Sequence, residues 1–420
     1  MGQPLLVIDG EERGRMLFLD GMEVEADPRL PTCYSSMVAD PSQGRWKKCE
    51  GGVEESPANT GNFTGPWKIN TLEGSCGERW SEEHQGQGHA PPMPYWKWEP
   101  SACRLEEVDQ ISFCGVMEGR KGLLFVGEGR VVRRPKKDGL AVGRKNPASS
   151  TRQLLTGEMI DTLAVILRAT RVEYVPMTGK TYSACDGALT LSWYRNDYLD
   201  TRTDGFDTVH CEDPDLSASR CVVFAGMASI KMEMVRAATM QCQPALMFIA
   251  DDATLIQFDT LVVNAGAHRR SGGLEAYGSM MKNASEILTS SMRRLHGDNA
   301  ILVVRNTVPG HGESYERWET AEEKMFSGPV DVDTALDLVE KGRPGYLWST
   351  FGDKNKLLEE AFVAAHGSWT LLDAYSPTIL RADSHPSAND GLHYCVPGPI
   401  DNWVVLLYNI LLERVTNKVN

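Results

Sequence analysis

The run Gly122-Leu123-Leu124-Phe125-Val126, followed by Gly127, decides the fold class. An apolar run of this length between glycines is typical of a strand that is buried on both faces. Further apolar runs at residues 188–193, 260–264 and 301–305 predict strands of the same kind. Because helical patterns separate these runs, the sequence predicts an α/β three-layer sandwich with a mostly parallel sheet.

Three segments carry the apolar periodicity of helices. Residues 154–167 and 274–295 repeat apolar side chains at helical spacing, which predicts two helices that pack on the sheet. Residues 403–415 predict a closing helix, with Asp401 or Asn402 as its N-cap.

Residues 1–118 differ from the rest of the chain in composition. They are rich in Gly, Pro and Trp and contain few long periodic segments. We therefore predict an irregular N-terminal region packed on the core, and an α/β domain over residues 119–420. Trp46, Trp96 and Trp98 are expected to pack against that core, and a role in stacking on sugars stays open.

The charge balance disfavours several classes of partner. The chain has 420 residues, a net charge of −14 and a pI near 5.2, so binding to nucleic acid is not expected. No apolar run has the length of a membrane span. There is no Cys-x-x-Cys pair, and the Gly-x-Gly after the first strand lacks the third glycine of a dinucleotide fingerprint. We predict neither a metal nor another cofactor.

Candidate chemistry is concentrated in residues 390–403, Asp-Gly-Leu-His-Tyr-Cys-Val-Pro-Gly-Pro-Ile-Asp-Asn-Trp. Asp390 and His393 stand three residues apart before a Pro-Gly turn. In a hydrolase triad a histidine takes the proton of the nucleophile and a carboxylate orients the imidazole. Asp390 and His393 are therefore candidates for the acid–base half of such a triad.

Together with residues 123–129, this stretch resembles the C-terminal signature of the PC-esterase branch of the SGNH (GDSL) hydrolases. That branch includes the trichome-birefringence-like polysaccharide O-acetyltransferases. Other segments that resemble the branch are residues 95–105, 258–268, 303–311 and 381–386. The resemblance implies an SGNH fold in which Asp390 and His393 are the acid–base pair, and it makes Gly127 and Asn264 candidate oxyanion donors.

The branch normally carries Gly-Asp-Ser after the first strand, with Ser as the nucleophile. Here Glu128 and Gly129 occupy the last two positions, and Gly129 has no side chain that attacks a carbonyl. The sequence therefore favours a catalytically inactive member, with a vestigial Asp390–His393 pair, that serves as a scaffold or binding subunit among protein partners. Such a protein would not hydrolyse activated acetyl esters faster than its His393→Ala variant. The alternative is an acetylesterase or O-acetyltransferase that uses a displaced nucleophile and binds a glycan.

The cysteines lead to a prediction about location. Four of the ten lie in the region that is disulfide-bonded in the secreted relatives: Cys33, Cys49, Cys76 and Cys103. Two positions where the family usually has cysteine are instead Gly391 and Ser314. Cys395 is therefore predicted to be a free, buried thiol, and the protein to be intracellular, either cytoplasmic or associated with an organelle.

Overall fold

The computed structural model describes most of the predicted α/β domain and parts of the N-terminal region. The described residues are 2–6, 16–20, 33, 43–58, 76, 93–127, 155–175, 179–196, 199, 252–267, 273–312, 327–342, 346–386 and 391–416.

The strands in these ranges are β1 (Gly2–Leu6), β2 (Met16–Asp20), β3 (Gly44–Cys49), β4 (Tyr95–Pro100), β5 (Leu123–Gly127), β6 (Thr170–Val175), β7 (Gly179–Ala184), β8 (Leu189–Arg195), β9 (Thr260–Val263), β10 (Ile301–Arg305) and β11 (Thr370–Leu372). The α-helices are α1 (Gln110–Val116), α2 (Leu155–Ile166), α3 (Asp252–Leu255), α4 (Gly273–His296), α5 (Val332–Glu340), α6 (Phe351–Ala364), α7 (Tyr375–Thr378) and α8 (Pro399–Thr416). None of the helices in the described ranges combines the length and the apolar character that a membrane crossing requires.

Seven strands form one sheet in the order β11-β10-β9-β5-β8-β7-β6. The neighbours from β11 to β8 pair in parallel, whereas β7 and β6 extend one edge as an antiparallel hairpin. The strand predicted first from the sequence, β5, lies at the centre between β9 and β8. The mostly parallel sheet is therefore confirmed.

The two faces of β5 belong to different apolar cores. Leu123 and Phe125 pack in a cluster with α2 and α8, and Leu124 and Val126 pack in a second cluster with α4 and α6. All four side chains are buried. Alternation along one strand thus places helices on both sides of the sheet, which confirms the three-layer sandwich.

The closing helix begins earlier than predicted. It starts at Pro399, a residue whose fixed φ suits the first helical position, so Asp401 and Asn402 lie inside the first turn and neither is the N-cap. The Asp401 Oδ1 accepts a hydrogen bond of 2.6 Å from the backbone N–H of Gly398. The carboxylate therefore still stabilises the helix start, from a position within the helix.

The hairpin β3–β4 connects the N-terminal region to the core. The Trp98 backbone N–H donates to Asn402 Oδ1 at 3.0 Å, and the Trp46 indole donates to the Pro377 carbonyl at 2.6 Å. Both tryptophans are buried, and the Arg381 guanidinium lies 4.7 Å from the Trp46 ring. The division at residue 118 stays a prediction.

Candidate active site

The carboxyl end of β5 meets the start of α2 at Gly127. A Cβ at this position would lie 2.7 Å from Thr156 Oγ1 and 3.0 Å from the Asn264 carbonyl oxygen. The Gly127 carbonyl accepts a bond of 2.9 Å from the Asn196 backbone N–H. Glycine is required here because the N-terminus of α2 and the end of β9 approach the strand so closely.

Asn264 follows β9 and lies beside Gly127. Its backbone N–H donates to the Val126 carbonyl at 3.0 Å, and its side chain is fully buried. The side-chain nitrogen donates to the Arg305 carbonyl at 2.9 Å and to Thr307 Oγ1 at 3.3 Å. An oxyanion would therefore replace one of these acceptors, and the longer bond to Thr307 is the weaker of the two. The oxyanion roles of Asn264 and Gly127 stay predictions.

Arg305 ends β10 and completes this cluster. The side chain is fully buried, and its Nη2 donates to Thr156 Oγ1 at 3.1 Å. Its guanidinium lies 5.3 Å from the ring centre of Trp403. A second buried arginine, Arg381, forms a bidentate ion pair with Asp383.

The loop that carries His393 is anchored to the segment that follows β10. The His311 backbone N–H donates to the Gly391 carbonyl at 2.8 Å, and the Tyr394 hydroxyl donates to the Pro309 carbonyl at 2.8 Å. His393 is buried, with 5% of its surface exposed. The loop thus lies at the carboxyl edge of the parallel strands, where α/β folds bind ligands.

The surroundings of Gly391 explain why a residue without a side chain occupies this position. A Cβ there would lie 2.1 Å from the His311 carbonyl oxygen and 3.2 Å from the Trp348 ring. Neither the backbone carbonyl nor the buried indole yields easily, so the cysteine that the family usually places here does not fit this packing.

Trp403 connects the loop to the cluster at the strand ends. Its ring lies 5.9 Å from that of Tyr394, the residue after His393, and also contacts Arg305. Its indole N–H donates to Thr378 Oγ1 at 2.8 Å. Trp403 thus links the His393 loop to Arg305, whose guanidinium in turn bonds Thr156 at the start of α2.

Three of the predicted positions lie outside the described residues. They are Glu128, Gly129 and Asp390. The pairing of Asp390 with His393, and the vacancy of the nucleophile position, therefore stay predictions. In the part of the chain that the structure describes, no three His, Cys, Asp or Glu side chains are grouped as a metal site would require.

The predicted free thiol at Cys395 is wrong. Cys395 forms a disulfide with Cys76, and further disulfides join Cys33 to Cys103 and Cys114 to Cys185. The partner of Cys395 comes from the N-terminal region, not from the positions of Gly391 or Ser314 where it was sought. Among the described cysteines, Cys49 is free and buried.

Sequence reasoning missed Thr156 and Trp403 as neighbours of the candidate site. Thr156 is the second residue of α2, the helix that follows the central strand, and that position was the available signal. Trp403 was noted only as part of a motif and of a helix. Its contacts depend on how α8 crosses the sheet, which no local pattern specifies.

Comparisons with known proteins find relatives of the same kind as the sequence motifs resemble. No family model matches the chain. Xyloglucan O-acetyltransferase 1 of Arabidopsis thaliana is 24% identical over 194 residues, which is 37% of this chain and 43% of that protein. Protein trichome birefringence-like 25 of the same plant is 36% identical over 63 residues, 10% of this chain and 14% of that protein.

These weak similarities support the trichome-birefringence-like family. The matched stretches span less than half of either relative, so they carry no activity over to this chain by themselves.

Proposed function

We propose that this protein is an O-acetyltransferase or acetylesterase that acts on glycans. The observation that carries the proposal is the connection, through Trp403 and Arg305, of the His393 loop with the place where the end of β5 meets the start of α2. An SGNH hydrolase requires its base and its nucleophile on these two segments. The similarity to a xyloglucan O-acetyltransferase supports a polysaccharide as the acetyl acceptor.

The nucleophile is proposed to come from the residues directly before α2. Gly129 has no functional side chain, but the helix that begins at Leu155 packs against Gly127. Ser149, Ser150 and Thr151 precede Leu155 by four to six positions, in a segment outside the described residues. The N-terminus of a helix favours developing negative charge, which suits a nucleophile that precedes α2 in the sequence. Ser149 and Ser150, as primary alcohols, are the preferred candidates.

The proposed reaction passes through an acetyl-enzyme. The serine oxygen attacks the acetyl carbonyl of an ester donor while the imidazole of His393 takes the serine proton. The donor C–O bond breaks, and the leaving alcohol receives that proton. A glycan hydroxyl, or water in the esterase reaction, then attacks the acetyl-serine carbonyl. The acetyl–serine C–O bond breaks, and the proton of the attacking oxygen passes through His393 to the serine oxygen. Asp390 orients the imidazole, and Asn264 with Gly127 supplies oxyanion donors.

The disulfides support folding in an oxidising compartment. The Cys76–Cys395 bond links the N-terminal region to the candidate catalytic loop, and the two others tie separate segments of the chain. Such bonds persist in secretory compartments and are rare in reducing ones. We therefore favour the secretory pathway, where glycans are modified, over the intracellular location expected from the sequence.

One observation favours a second function. Gly129 stands where the family carries its nucleophile, so a non-catalytic scaffold or binding subunit with protein partners is the competing proposal. The two proposals differ in one measurable property, which is turnover that depends on His393.

Hydrolysis of an activated acetyl ester by purified protein separates the proposals. We expect His393→Ala to lower the rate by about 10² to 10⁴, and the double substitution Ser149→Ala with Ser150→Ala to have a similar effect. Ser290→Ala, which removes an exposed hydroxyl on α4, is the matched control and should leave the rate unchanged. Equal rates for wild type and His393→Ala would favour the scaffold.

A further inference from the structure

Two buried histidines lie beneath the loop that carries His393. The His385 Nδ1 is 2.6 Å from the His393 carbonyl oxygen, and its Nε2 is 2.9 Å from His311 Nδ1. The His311 Nε2 is in turn 2.8 Å from the Ile379 carbonyl oxygen. Neither ring has more than 1% of its surface exposed. The two rings therefore lie one against the other between the Ile379 carbonyl and the backbone of His393.

The chemistry of the two carbonyl groups orients these rings. A carbonyl oxygen only accepts, so His385 donates from Nδ1 to His393 and His311 donates from Nε2 to Ile379. Burial, together with the imidazole of His385, lowers the pKa of His311 to about 3, so His311 is neutral at physiological pH. The His311 ring lies against the second nitrogen of His385, and the Tyr394 ring packs 4.5 Å from the His385 ring, so these two neighbours confine its orientation.

The His393 carbonyl is the middle of three anchor points on the loop. On one side the His311 backbone N–H holds the Gly391 carbonyl at 2.8 Å. On the other side the Cys395 N–H donates to the Ser384 carbonyl at 2.8 Å. The bond from His385 acts on the backbone carbonyl of His393 itself, so it bears directly on the position of the His393 side chain.

We infer that His385 is a positioning residue for His393. The Nδ1–H of His385 holds the backbone carbonyl of His393, and the His311 ring fixes the orientation of the His385 ring. The catalytic part of this inference rests on the proposed function. The structural part, that the His385 Nδ1 bond immobilises the loop, does not.

Two substitutions at one position separate the roles of the two nitrogens. His385→Asn places an amide N–H where Nδ1 lies, and His385→Gln places its amide near Nε2, so both lose the ring but only the first keeps the bond to His393. We expect His385→Asn to keep kcat within about threefold of wild type. His385→Gln should lower kcat on the order of tenfold or more with KM nearly unchanged, because displaced catalytic groups slow the chemical step. Equal kcat values for the two variants would overturn the catalytic part.

Hydrogen–deuterium exchange of the peptide over residues 391–398 tests the inference without activity. Wild type and His385→Asn should exchange alike, and His385→Gln should exchange on the order of tenfold faster in this peptide while α4 is unchanged. Equal exchange in both variants would overturn the inference. If wild type lacks turnover that depends on His393, the proposed function fails, and the exchange result still decides the role of His385.

Discussion

Cys76 and Cys395 form a disulfide that joins the N-terminal region to the loop of His393. The two cysteines stand 319 residues apart in the sequence, and Cys395 follows His393 by two positions. Both lie in a buried cluster with Cys49, Val53 and Tyr95. The backbone next to the candidate base is thus covalently tied to a segment far away in the sequence.

Removing this bond is expected to destabilise the protein. The double substitution Cys76→Ala with Cys395→Ala should lower the free energy of unfolding by about 2–5 kcal/mol, measured by urea denaturation. Cys49→Ala removes a buried thiol from the same cluster without breaking a bond and should cost about 1 kcal/mol.

Counting the cysteines that can be alkylated tests whether the Cys76–Cys395 disulfide and the two other disulfides exist. Six of the ten cysteines are paired in the three disulfides, so denatured, unreduced protein should be alkylated at no more than four cysteines. Alkylation of all ten cysteines would contradict the three disulfides and would favour a reducing compartment for the protein.

The close contact at Gly127 predicts a large cost for one methyl group. Gly127→Ala should destabilise the fold by about 1–3 kcal/mol, because the new Cβ meets Thr156 Oγ1 and the Asn264 backbone. Gly115 in α1 has no atom within 4 Å of such a Cβ, so Gly115→Ala should stabilise by about 0.5–1 kcal/mol through helix propensity. Thermal unfolding of both variants checks this, and a Gly127→Ala protein as stable as wild type would refute the packing at the turn.

Glu359 predicts a pH dependence of stability. Burial, and next the charge of Asp373, raise the pKa of Glu359 from 4.5 to about 7. Between these values the folded protein binds more protons than the unfolded chain, so this group lowers stability as pH rises from about 4.5 to 7. Glu359→Gln should therefore stabilise the protein above pH 7 and have little effect near pH 4. After a discount for solvent screening, the gain is about 1–2 kcal/mol.

Urea denaturation at both pH values measures the effect of Glu359. Glu286→Gln, the same change at an exposed position of α4, is the control for the substitution itself. A Glu359→Gln variant with the same stability gain at pH 4 and pH 8 would exclude the ionisation as the cause.

Local patterns predicted the elements that are buried on both faces or strongly periodic. β10 has the bounds expected, and α2 and α4 differ from their predicted ranges by one residue at each end. In these elements apolar periodicity and tertiary burial agree. The start of α8 was missed because Pro399 and the reach of Asp401 back to Gly398 compete with a simple N-cap.

The contacts of the candidate site were less accessible to such reasoning. The meeting of Thr156, Arg305 and Asn264 depends on the order β10-β9-β5, which local periodicity does not encode. The pairing of Cys76 with Cys395 depends on the path of the N-terminal region across the fold. Spacing and resemblance selected His393, but they did not reveal that His385 lies beneath its carbonyl.

The most direct test of the proposed acetyl transfer is to locate the acetyl group on the protein. Wild type, incubated briefly with an activated acetyl ester and quenched in acid, should carry one acetyl group by intact mass. Peptide mapping should place it on Ser149 or Ser150, and His393→Ala should remain unmodified under the same conditions. An unmodified wild type, or acetylation that is equal in His393→Ala, would contradict the account.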